Sequence, residues 1–162
     1  MAREKPKPTK MTIRSCFEDS ISDIEGLRKE MEEWRDNMKE YFSETERYER
    51  VSEAAKALEE GFNALDSWES LVDEIEKYDE ELLQTEITVY QFKFTRRGLA
   101  RWRRLSNCMV AIESAKDWLE KLIDEEDREI PDEVRMEIEK LIGLYDEAKA
   151  YLEDVDFPTM FS

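Results

Sequence analysis

Apolar residues recur along this chain at alternating steps of three and four, broken by a few short polar intervals. That spacing marks one face of an amphipathic helix. A first stripe is Phe17, Ile21, Ile24, Leu27, Met31, Trp34, Met38 and Tyr41, predicting a helix from about Thr12 to Phe42 with Gly26 as its one weak point. At ~1.5 Å per residue this rod is roughly 45 Å long. Ser43-Glu44-Thr45-Glu46 reads as a capping box, with Ser43 as cap and Glu46 three residues on. The second stripe is Tyr48, Val51, Ala55, Leu58, Phe62, Leu65, Trp68, Val72, Ile75, Tyr78 and Leu82, either continuous or broken near Asp66-Ser67. The short connection folds these two helices into an antiparallel hairpin.

The period then changes. In residues 85–95 (TEITVYQFKFT), Ile87/Val89 and Phe92/Phe94 alternate with polar residues, out of phase with each other. This is the one strand-like segment, with a bend expected near Tyr90-Gln91. A lone strand needs a partner from this chain, a second copy or a target. A third helix follows from Gly98 to about Asp127, with Trp102, Leu105, Met109, Ile112, Ala115, Leu119 and Leu122 as its stripe. Its acidic end opposes the helix dipole and is expected to fray. Pro131 suits the first turn of a fourth, with Val134, Ile138, Leu141, Tyr145, Ala148, Leu152 and Val155 on one face.

The expected class is all-α: a four-helix bundle of two long helical hairpins, with a short extended segment between helices 2 and 3. Residues 1–11 are expected to be a disordered basic arm. One helical domain covers 12–156, as a first hairpin (12–84), an extended segment (85–97) and a second hairpin (98–156). An apolar tail, 157–162, either folds back or serves as a peptide motif.

Charge changes the picture more than composition does. Of 162 residues 41% are charged, and the net charge is −17. Residues 1–10 carry +3 and residues 93–104 carry +6, leaving −26 on the rest. Such a field repels nucleic acid and anionic membrane and attracts basic proteins. Direct nucleic-acid binding is therefore disfavoured. No apolar run reaches the ~18 residues of a membrane span, and no apolar core follows the basic N-terminus, so we expect a cytoplasmic protein. Cys16 and Cys108 fall among apolar helical positions and read as reduced core thiols. The tryptophans Trp34, Trp68, Trp102 and Trp118 read mainly as structural.

The chain has no histidine, which removes the commonest general base, the usual nucleophile systems and His-containing zinc sites. Its 4 glycines are isolated, so there is no phosphate loop. We expect no enzyme and no cofactor. One carboxylate alternative survives: MazG-type helical pyrophosphatases hold magnesium with Glu-x-x-Glu and Glu-x-x-Asp pairs, and Glu30/Glu33 and Glu76/Asp79 share that spacing. With 42 acids in the chain, such pairs also arise by chance.

Two binding candidates follow. Arg96, Arg97, Arg101, Arg103 and Arg104 form a basic cluster at the start of helix 3. They make either a dock for phosphate or an acidic partner, or a set of internal ion pairs. The acidic candidates are Glu59, Glu60, Asp66, Glu69, Asp73 and Glu76 on the second helix and Asp124, Glu125, Glu126 and Asp127 after the third. Rows of carboxylates on a rigid helix imitate spaced phosphates, which suggests an inhibitor that binds a basic or nucleic-acid-binding protein. The alternative is an assembly protein, a homodimer or larger array joined through the strand and the Arg cluster.

Glu33-Trp34-Arg35-Asp36-Asn37-Met38, and later Arg96-Arg97-Gly98-Leu99-Ala100-Arg101-Trp102-Arg103-Arg104 followed by Asn107, resemble stretches in small acidic helical proteins of bacteriophages and prophages. The resemblance covers about half the chain and brings no activity with it. It implies a phage context and an accessory or anti-defence role.

Overall fold

The computed structural model describes residues 5–94, 98–125 and 129–158. It is mostly helical, with a small two-stranded sheet. In order the elements are β1 (Lys7–Thr12), α1 (Ile13–Phe42), α2 (Glu46–Ala64), α3 (Trp68–Tyr78), a 3₁₀ turn (Leu82–Gln84), β2 (Glu86–Gln91), α4 (Arg101–Asp124) and α5 (Asp132–Leu152).

The basic arm is not disordered over its second half. Lys7–Thr12 pairs antiparallel with Glu86–Gln91, placing Thr9 opposite Val89 and Met11 opposite Ile87. The strand-like segment thus finds its partner inside the chain, and its unpaired backbone groups supply the reason. Pro8 is tolerated because the ribbon has only two strands and β1 is an edge. Lys10 Nζ donates to Thr88 Oγ1 at 2.9 Å and Lys93 Nζ to Thr9 Oγ1 at 2.7 Å, so the lysines lie along the ribbon. β2 stops at Gln91, where a bend was expected. Asn107 of α4 holds the strand end: its Oδ1 accepts from Phe92 N at 2.7 Å and its Nδ2 donates to Phe92 O at 2.9 Å.

β1 runs into α1 without a loop. Thr12 is extended (φ −76°, ψ 159°) and caps the helix, its Oγ1 accepting from Ser15 N at 3.0 Å. Ile13 N donates to Thr85 O at 3.0 Å, joining the helix start to the approach to β2. The α1–α2 turn corrects the expected cap. Ser43 keeps helical angles (φ −61°, ψ −21°) and closes α1. Thr45, extended at φ −85° and ψ 150°, starts α2 and accepts from Tyr48 N at 3.1 Å. An N-cap must leave the helical region, and Thr45 is the residue that does.

The second stripe is broken at Leu65–Ser67, as one of its two readings had it. Leu65 N, Asp66 N and Trp68 N each donate to the carbonyl three residues back, at 3.1, 3.1 and 2.9 Å, tightening the chain between α2 and α3. The fourth helix starts after Pro131 as expected, whereas the third starts at Arg101, later than Gly98, which has φ +81°. Only glycine takes that angle at little cost.

α1 packs on α2 and α4, and α5 packs on α2, α3 and α4. The core they share includes Phe17, Ile24, Leu27, Met31, Leu58, Ile75, Ile112, Leu119, Ile138 and Tyr145, each fully buried or nearly so. A Cβ on Gly61 would meet Leu152 Cδ2 at 2.5 Å, so glycine sets how closely α2 and α5 approach. α4 and α5 are also tied by Lys116–Asp146 and Lys149–Glu113 pairs, both at 2.6 Å. Beyond α5 the tail does fold back where it is described. Asp156 pairs with Arg50 at 3.2 Å and Pro158 is buried. No helix among the described residues is long and apolar enough to cross a membrane.

Candidate interaction surfaces

Three arginines of the cluster, Arg101, Arg103 and Arg104, open α4, where the helix dipole disfavours positive charge. α1 supplies the compensation. Arg104 donates from Nη1 to both oxygens of Glu30, at 3.0 and 2.7 Å, and from Nη2 to Asp23 Oδ1 at 2.7 Å. Arg101 Nε reaches the same Glu30 at 3.2 Å, and its guanidinium lies 5.3 Å from the Trp34 ring centre. Burial alone would lower the Arg104 pKa, but the hydrogen bonds to Asp23 and Glu30 outweigh it and hold the pKa above its usual value. Arg103 points elsewhere, over Phe92 at 4.7 Å and Trp102 at 5.2 Å. Arg96 and Arg97 lie outside the described residues. Of the two readings of the cluster, Arg101 and Arg104 follow the second: they turn onto α1 and into ion pairs.

Beside this seam is an aromatic hollow. Trp34, Met38, Phe42, Arg47 and Arg101 line a cavity of about 490 Å³. Arg47 also stacks on Trp34, at 5.5 Å. Tyr41 and Phe42 stand exposed nearby, at 76% and 53%.

The acidic candidates do not make one continuous face. Glu59 and Asp66 are exposed and Glu60 is half-buried, on α2 and in the joint after it. Asp66 and Glu69 line a cleft of about 300 Å³ with Glu18 and Glu25 of α1, floored by Phe62, Leu65 and Trp68. Asp73 and Glu76 turn toward α1 instead, where Arg14 reaches them at 3.4 and 2.6 Å. Asp124 and Glu125 are exposed at the end of α4, while Glu126 and Asp127 lie outside the described residues.

A third surface lies where the sequence marks no binding site. Glu74, Lys77, Tyr78, Pro131, Glu133, Val134, Met136 and Glu137 line a groove of about 480 Å³ between α3 and α5. Tyr78 belongs to the second stripe yet is 46% exposed, and Met136, off the α5 stripe, is 54% exposed. An apolar residue outside its helix's buried face, flanked by Glu133 and Glu137, was the available signal.

The magnesium-type carboxylate pairs do not converge. Glu30 is held by Arg101 and Arg104, and Glu76 by Arg14. Arg14 and Glu30 are 16 residues apart on α1, which at 1.5 Å per residue separates the two pairs by roughly 24 Å. Among the described residues no three potential metal ligands gather. Cys16 and Cys108 are free and buried. Burial pushes the Cys16 thiol up to about 12, and burial followed by Asp23 raises Cys108, so neither is a ready nucleophile.

Compared with known protein families, characterised proteins and solved structures, the chain matches none.

Proposed function

We propose that this protein is a non-enzymatic interaction module that presents acidic helical surface to a basic, nucleic-acid-handling partner protein. The supporting observation is an asymmetry. Arg101 and Arg104 are consumed by ion pairs with Glu30 and Asp23, whereas Glu59, Asp66, Glu69, Asp124 and Glu125 stay exposed. At the seam the arginines thus face inward while these carboxylates face outward, and carboxylates fixed on helices lose little freedom when a partner binds. In this reading the architecture is a four-helix bundle, with α2 and α3 together taking the place of one long broken helix. A phage-type accessory or anti-defence role in the host cytoplasm rests on the resemblance of residues 33–38 and 96–107. Self-association through the strand and the Arg cluster is less favoured, because β2 is paired with β1 and Arg101 and Arg104 with α1.

The test is capture by the immobilised chain, with elution by salt and competition by duplex DNA. Basic nucleic-acid-binding proteins that elute with rising salt and are displaced by DNA support the reading. Retention of DNA itself, or partners indifferent to salt, overturns it.

A further inference from the structure

The three hollows differ in what surrounds them. The Trp34 hollow sits beside a seam whose arginines are already paired, and the Asp66 cleft is walled by acids from both sides. The Asp66 cleft also has an apolar floor, but its Phe62, Leu65 and Trp68 are buried or half-buried, whereas in the α3–α5 groove Tyr78 and Met136 stand exposed beneath a mainly acidic rim. Tyr78, Val134 and Met136 form the floor, and Glu74, Glu133 and Glu137 the rim. Lys77 bonds Glu74 at 2.8 Å and Lys140 reaches Glu137 at 3.5 Å, each a pair along its own helix with the lysine exposed, which holds its carboxylate only weakly.

The surroundings extend the rim. Residues 73–81, 124–125 and 129–137 carry twelve acids and two bases. Asp73 and Glu76 are taken up by Arg14, and Arg135 is turned inward, donating to Ile123 O at 2.7 Å. An apolar side chain entering the groove would cover Met136 and Tyr78, and cations on either side of it would meet carboxylates. Lysine and arginine suit both tasks, because their methylene stems lie along apolar surface while their charged ends reach the rim.

We infer that the α3–α5 groove docks a lysine- or arginine-rich amphipathic segment of a partner protein, with one apolar side chain seated on Tyr78, Val134 and Met136. This rests on the acidic-surface reading above and names the part of the partner that is recognised. The whole acidic molecule draws a polycation in, and the groove discriminates an amphipathic segment from a merely basic one.

The experiment titrates the full chain with two synthetic peptides of equal charge, an amphipathic leucine–lysine helix and oligolysine, at low and moderate salt. The leucine–lysine peptide is expected to bind roughly tenfold tighter, by burial of one large apolar side chain. Met136→Ala is expected to weaken it about threefold to fivefold, and Glu133→Gln with Glu137→Gln about tenfold by removing two rim charges. Glu40→Gln with Glu44→Gln, an equal charge loss at the far end of α1, should change it less than twofold by long-range field alone.

Equal affinity for the two peptides, or losses as large in the Glu40/Glu44 variant as in the rim variant, would overturn the groove while leaving the acidic surface in place. Failure of both peptides to bind at low salt would bring down the acidic-surface reading itself. A concentration-dependent dimer of the chain that Met136→Ala converts to monomer would overturn the proposal in favour of a second copy as occupant.

Discussion

The α1–α4 seam and the α3–α5 groove are built from the same kinds of residue and do opposite things. At the seam, two arginines and two carboxylates meet around Glu30 and Asp23, with the Arg104 side chain 17% exposed. At the groove, carboxylates surround the exposed Tyr78 and Met136, and Glu74 and Glu137 pair with exposed lysines of their own helices rather than with arginines of a facing one. Where both signs are present the helices close on each other. Where one sign dominates, an apolar strip is left open. Charge in this protein thus separates surface that holds the fold together from surface available to something else.

That contrast is sharpest in stability. Leu27, fully buried one turn below Glu30, should cost about 2–5 kcal/mol when changed to Ala, read as a fall in the chemical denaturation midpoint. Met136→Ala at the groove should stay within about 0.5 kcal/mol. A comparable loss at Met136 would mean that the groove is structural after all. Glu30→Ala leaves Arg101 and Arg104 short of a partner in a half-buried setting and should cost roughly 1–2 kcal/mol. Raising salt should narrow the gap between wild type and this variant.

Asn107→Ala removes both hydrogen bonds to the Phe92 backbone and should cost about 1 kcal/mol. Faster hydrogen exchange at Phe92, with no change at Tyr78, is the readout. The last effect is one of pH. The Cys16 pKa lies above its ordinary 9.0, at about 12, so its contribution to stability is complete below pH 9 and declines as pH rises toward 12. Unfolding measured at pH 8 and pH 11 should show the decline; Cys16→Ala should reduce it, and the part that remains includes the share of Cys108, raised by burial in the same way.

How much of this the chain displayed in advance depends on whether the information was local. The span of α1 follows from its own stripe, and the break before α3 from the polar Asp66-Ser67 interval. The start of α2 was misplaced by two residues because Ser43 and Thr45 both qualify chemically and differ only in backbone angles. β1 was invisible because Lys7-Pro8-Thr9-Lys10 looks solvated by composition, and its partner is more than seventy residues away. For the Arg cluster, the chain displayed the charges and left docking and internal pairing both open; only packing shows that Arg101 and Arg104 meet Glu30. The groove escaped because Tyr78 fits the buried stripe of α3, yet it lies beside the start of α5 and is exposed there.

The β1–β2 ribbon has a consequence for how the chain is made. Its two strands are separated by α1, α2 and α3. At 5–20 residues per second, the ribosome releases β2 roughly 4–16 seconds after β1. Through that interval the first lysines wait without a clasp while three helices of the nascent polypeptide are already free to collapse.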